Sequence, residues 1–153
     1  GRTMFEVFGN FDSAEELNAC AKGLLEEGDT LHLDTLAREN GIPKAMLESY
    51  LDGIQEELTD PVNAAIGKLE IERRDLKKDG MPANEIVSYL QMQCFENMRL
   101  ARGIRRRSKS LEECMKQVKK SAEERVKARS GMQIVAIPDL EVFKMAEDYY
   151  QRW

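Results

Sequence analysis

Apolar positions recur at three- and four-residue spacing along most of this chain, the signature of amphipathic helices packed on a core. Leu17, Cys20, Ala21, Leu24 and Leu25 form the first stripe. Ser13-x-x-Glu16 ahead of it is a capping box, whose two side chains satisfy backbone N–H groups that a first helical turn leaves open. Gly28 is the predicted stop. Asp29 or Thr30 caps a second helix, with Leu33, Leu36 and Ala37 inward and Gly41 at its end. Pro43 opens a third, where its missing N–H costs nothing, and Met46, Leu47, Tyr50, Leu51 and Ile54 follow. Thr59-Asp60-Pro61 starts a fourth, from about Pro61 to Lys78, on Val62, Ala65, Ile66, Leu69 and Leu76.

Past Gly80 and Pro82, a fifth stretch carries Ile86, Val87, Tyr89, Leu90 and Cys94 and continues or kinks into Met98, Ala101 and Ile104. A second capping box, Ser110-x-x-Glu113, begins a helix on Leu111, Cys114, Met115, Val118, Ala122 and Val126. Pro138 and Asp139 open the last, with Leu140, Phe143, Ala146, Tyr149 and Tyr150 inward. Two segments break the rhythm. Met4–Phe11, with Phe5, Phe8 and Phe11 three apart, reads as a short strand or an irregular plug under the first helix. Met132–Ile137, whose Ile134, Val135 and Ile137 are β-branched, is bounded by Gly131 and Pro138, hence a short strand or an extended buried segment. The expectation is an all-α, compact bundle of about six to seven helices with at most one short strand pair. The Gly80–Pro82 break divides it into an acidic helical subdomain, 1–80, and a basic one, 81–153, unless the whole is a single domain.

Composition narrows the function classes. The 153 residues are 42% hydrophobic and 33% charged, a globular balance. No apolar run nears the roughly 20 residues that span a bilayer, so no membrane role is expected. No secretory signal is visible, and Cys20, Cys94 and Cys114 are too few and too scattered for a disulfide framework or a zinc site. They point to a reducing cytoplasm. With His32 the single histidine, and no P-loop, GxGxxG, GxSxG or HExxH, the chain is expected to be no enzyme and to carry no metal or other cofactor.

The net charge of −5 hides a split. Glu6–Asp60 holds 14 acidic and 3 basic residues; Arg99–Arg129 holds 12 basic and 4 acidic. Two charged surfaces, or two ends of one chain that attract each other, both fit this asymmetry. The second and third helices resemble a helix-turn-helix around Gly41, but Glu48, Asp52, Glu56 and Glu57 would face the DNA with only Lys44 to offset them. A packing hairpin, an acidic partner-binding face and, against that repulsion, direct DNA reading remain. The basic candidates are Arg99, Arg102, Arg105, Arg106, Arg107 and Lys109. Three readings stay open for them: a solvated face or dock for the chain's own acidic half, a clamp for phosphates, or a site for an acidic protein. Glu70, Glu72 and Asp75 with Arg73, Arg74, Lys77 and Lys78 read as solvent-exposed helix pairs, and Cys94 and Cys114 as core residues.

Several runs resemble small proteins encoded on conjugative elements and phages of gut Firmicutes. They are Met4-Phe5-Glu6-Val7-Phe8-Gly9-Asn10-Phe11-Asp12-Ser13, Leu36-Ala37-Arg38-Glu39-Asn40-Gly41-Ile42, Leu58-Thr59-Asp60-Pro61 and Val87-Ser88-Tyr89-Leu90. Arg105-Arg106-Arg107-Ser108-Lys109-Ser110-Leu111-x-x-Cys114 and Ile137-Pro138-x11-Tyr149-Tyr150 complete the likeness, which spans nearly the whole chain. The C-terminal half is similar to the PcfK-like family. The resemblance implies an anti-CRISPR protein that binds a guide-RNA-loaded type II effector nuclease and blocks target DNA binding or cleavage in the bacterial cytoplasm. On this reading Glu48, Asp52, Glu56 and Glu57 meet the nuclease as a surrogate for DNA. The alternative is a conjugative-element accessory that binds DNA, weakly, or the relaxase complex through the basic helices. The oligomeric state stays open, a dimer included.

Overall fold

A computed structural model describes residues 7–76, 81–128 and 137–152. They form eight helices and, among the described residues, no strand: α1 (Ala14–Glu26), α2 (Thr30–Glu39), α3 (Lys44–Leu51), α4 (Pro61–Asp75), α5 (Ala83–Cys94), α6 (Met98–Arg105), α7 (Leu111–Ala128) and α8 (Asp139–Gln151). The fold is all-α, as expected. No described helix is long and apolar enough to cross a membrane.

The predicted starts rest on real caps. Ser13 Oγ accepts from Glu16 N at 3.1 Å, while Glu16 reaches back to Asp12 N at 2.8 Å. Asp29 caps α2, Asp60 caps α4 ahead of Pro61, and Ser110 accepts from Glu113 N at the start of α7. The extra helix comes from the fifth stretch, which ends at Cys94. Asn97 then caps a new helix by accepting from Leu100 N at 3.0 Å, a signal the apolar spacing did not carry. α4 stops at Asp75, where Leu76 turns extended, rather than at Lys78.

Apolar side chains gather in two clusters. Leu17, Ala21, Leu33, Leu36, Leu47 and Leu58 centre the first, with Phe8 and Phe11 packed against it as the plug under α1. Met4, Phe5 and Glu6 of that expected segment lie outside the described residues. Ala65, Leu69, Leu90, Leu100, Ile104, Cys114, Val118 and Tyr150 centre the second. α4 thus supplies the second cluster although it precedes the Gly80–Pro82 break. Of the expected Met132–Ile137 strand only Ile137 is described, without regular structure and packed on that second cluster. Across it, Tyr89 of α5 stacks on Phe143 of α8 with centroids 4.6 Å apart and donates to the buried Glu147 carboxylate. Leu25, Leu51, Ile54 and Leu140 were expected inside and are exposed, because each sits at the border of its helical stripe or past its last turn.

The two clusters meet through glycine. Gly41 ends α2 at φ +66°, and its backbone lies against that of Gly67 in α4. A Cβ on Gly67 would stand 2.3 Å from Asn40 O, and one on Gly41 would stand 2.4 Å from Gly67 O. Neither neighbour can swing away, since both are backbone. Gly67→Ala is therefore expected to destabilise the fold by about 1–3 kcal/mol or more, the cost of overpacking. Gly23→Ala in α1 meets nothing within 4 Å and is expected to gain up to about 1 kcal/mol from helix propensity. Equal melting temperatures for the two variants would contradict this packing.

Candidate functional site

The acidic candidates lie on and just after α3. Asp52 caps the helix and Gly53, at φ +74°, turns the chain out of it. Glu48 and Asp52 are one turn apart on the exposed side, but Glu56 does not continue a helical ridge. It is carried by the loop that returns to bury Leu58 in the first cluster. Asn18 of α1 pins that loop: its amide donates to Glu57 Oε2 at 2.6 Å and Thr59 O at 3.0 Å, and its oxygen accepts from Thr59 N at 3.0 Å. Gln55 adds bonds to the carbonyls of Glu57 and Leu58. All four acids are exposed, and among the described residues none forms an ion pair. Glu56 and Glu57 border a cleft of about 210 Å³ with Glu15, Asn18, Lys22 and Tyr50. Burial, then the Glu57 and Glu26 carboxylates, push the Tyr50 phenol up.

The basic candidates fare differently. Arg105 is 1% exposed and unavailable to a partner. It runs inward between the clusters and donates to Asn40 Oδ1 at 2.9 Å and Asn10 Oδ1 at 3.0 Å, and burial pushes it down to about 10. Expected among the partner-binding arginines, it is internal although a run of arginines before a cap is ordinarily solvated. Here two asparagine oxygens make its burial tolerable. Arg107 docks on the chain's own acidic segment, its backbone N–H on Asp12 at 2.8 Å, its Nε on Asn10 O at 2.9 Å and its guanidinium 3.4 Å from Glu16. Lys109 donates to Tyr149 O at 2.7 Å with its ammonium 4.4 Å from that ring's centroid. Arg99 is exposed and donates to Gln151 O at 3.2 Å. Arg102 and Arg106 line a second cleft, about 200 Å³, whose other walls include Asp12, Ser13, Glu15 and Pro61.

The most elaborate polar centre lies in neither set. Lys68 of α4 is 0% exposed. Its ammonium donates to the carbonyls of Ile104 at 2.8 Å, Arg106 at 2.7 Å and Lys109 at 2.7 Å. It thereby satisfies the C-terminal end of α6, where helical carbonyls lack intrahelical partners. Glu72, one turn on, accepts from Leu111 N at 3.4 Å at the start of α7, with its other oxygen buried and without a hydrogen bond. Burial holds Lys68 down to about 8 against the pull of Glu72, and raises Glu72 against the pull of Lys68. Glu72, expected among solvent-exposed pairs, is instead buried, whereas Glu70–Arg73 is the expected surface pair at 2.7 Å. The spacing carried only half of the signal. Lys68 and Glu72 interrupt the Ala65–Leu69–Leu76 face at helical intervals, so one helix side had to bury both charges or neither.

Cys94 and Cys114 are core thiols, both pushed up to about 12 by burial. Exposed His32 has Nδ1 2.6 Å from Asp29 Oδ2, a capping pair at the start of α2. Among the described residues no three His, Cys, Asp or Glu side chains converge as metal ligands. No protein-family model matches the chain, and no curated protein or solved structure matches it.

Proposed function

We propose that the chain works by binding rather than catalysis, as an anti-CRISPR protein that offers the acidic face of α3 and its exit loop to the nucleic-acid channel of a guide-loaded type II effector nuclease. Such a channel is positively charged because it must hold a heteroduplex by its backbone. The observation that carries the reading is unequal use of charge. Glu48, Asp52 and Glu56 stand exposed without an ion-pair partner among the described residues, while Arg105, Arg107 and Lys109 are engaged by the chain itself. The asparagine and glutamine bonds that pin the loop favour the same reading, since an ordered surface loses less entropy on docking. The experiment is co-elution of the pure protein with guide-loaded nuclease, with target binding and cleavage measured separately. Co-elution with loss of either step supports the proposal, and a nuclease that elutes and cleaves unchanged rejects it.

A second reading, a conjugative accessory that binds DNA, draws support from Lys116, Lys119, Lys120 and Lys127, exposed along α7. Duplex affinity without any nuclease, falling steeply with added salt, would mark it.

A further inference from the structure

The corner between α5 and α6 leaves three large apolar side chains in water: Met92, Phe95 and Met98, which are 67%, 65% and 47% exposed. The second core does not need them, since Cys94, Leu100 and Ala101 from the same turns already fill it. Exposed Arg99 and Arg102 flank the corner, Arg102 one helical turn beyond Met98. Arg99 gives one N–H to Gln151 O and keeps its charge at the surface. Methionine, an aromatic ring and arginine are the residue types that interface centres favour. A scatter of single exposed apolar residues needs no explanation, but three within one turn-and-cap segment do.

A surface of matching character lies on the other cluster. Leu51, 36% exposed, and Ile54, 78% exposed, sit among Glu48, Asp52 and Glu56. Both surfaces are open within one chain, so neither covers the other there. We infer that the Met92–Phe95–Met98 corner of one copy docks on the Leu51–Ile54 face of a second copy, with Arg99 and Arg102 opposite Glu48, Asp52 and Glu56. Charge selects this occupant and this arrangement. The corner carries Arg99 and Arg102 against the single exposed acid Glu96, so a two-fold contact of corner on corner would leave like charges in excess, and face on face would bring acids against acids, whereas head to tail pairs opposite charges. Such a contact uses different surfaces on each copy and repeats, giving a ring or an open chain. It would also cover the acids proposed above to meet a nuclease, so self-association and partner binding would compete. The inference itself stands on the pure protein and does not depend on the nuclease reading.

The test is sedimentation velocity on the pure protein over a wide concentration range at low and high salt. Wild type is expected to gain mass with concentration, more weakly in salt. E48K/D52K, R99E/R102E and Phe95→Glu are each expected to weaken association at least about tenfold while keeping a native helical spectrum. An equimolar mixture of E48K/D52K and R99E/R102E is expected to regain association, because the two reversed surfaces complement each other. That regain also shows that each variant is folded. A wild type that stays monomeric throughout overturns the inference. So does association indifferent to both reversals, or a mixture that remains monomeric.

Discussion

Lys68→Met is expected to destabilise the fold by about 3–5 kcal/mol, the typical cost of removing one member of a buried charged pair. For a chain of this length that corresponds to a melting temperature lower by roughly 6–20 °C. The substitution keeps the unbranched apolar stem of the side chain and removes the ammonium with its donors. The carbonyls of Ile104, Arg106 and Lys109 lose a shared partner inside the protein, and Glu72 loses the stronger of its two cationic influences, leaving only Arg105. Glu72→Gln is expected to cost less, since an amide oxygen can still accept from Leu111 N. The double variant should cost less than the sum of the two, because it no longer buries the Glu72 carboxylate without Lys68. Acid should help the single variant. Glu72 already titrates above its ordinary 4.5, and the Lys68 pull that opposes the rise would be gone. A group raised in the folded state takes up its proton more readily there, so stability is regained as pH falls through the folded value toward 4.5. Denaturant titrations at neutral pH and near pH 5 measure this, and a deficit that stays constant or grows on acidification would contradict the assigned role.

What the sequence disclosed and what it hid follow from range. Capping boxes, proline starts and glycine stops act within four residues, and Ser13, Asp60, Ser110, Gly28 and Gly41 behave as the local rules expect. The three hidden features depend on partners far along the chain. Arg105 is internal because Asn10 and Asn40, distant in sequence, supply its acceptors. Lys68 is internal because α6 ends against it. Gly67 matters because the α2–α3 turn crosses it at backbone distance. The acids of the candidate face were legible because they are local and solvated, yet their supposed single ridge was not. Gly53 ends α3 early, and Asn18 from α1 decides where Glu56 and Glu57 go.

The largest functional effect is expected from charge reversal on that face. E48K/D52K/E56K should remove three attractive charges and install three repulsive ones against a basic channel. Losing one desolvated pair with an arginine costs about 2–5 kcal/mol, and about 1.4 kcal/mol is a factor of ten in affinity. The loss should therefore be about 30-fold at the least. The fold should survive, since none of the three side chains is buried or forms an ion pair among the described residues. Glu57 is left in place because it holds Asn18. R99E/R102E is the matched control. It changes exposed charges on α6, spares Arg105 and Arg107 with their internal bonds, and should leave affinity for the nuclease unchanged or higher if self-association is relieved.

The decisive measurement is the dissociation constant of guide-loaded type II nuclease for wild type, E48K/D52K/E56K and R99E/R102E, taken at protein concentrations where each is monomeric. Tight wild-type binding, lost in the acid variant and kept in the arginine variant, is the predicted result. Binding lost in the arginine variant and kept in the acid variant would contradict it and assign function to the basic helices.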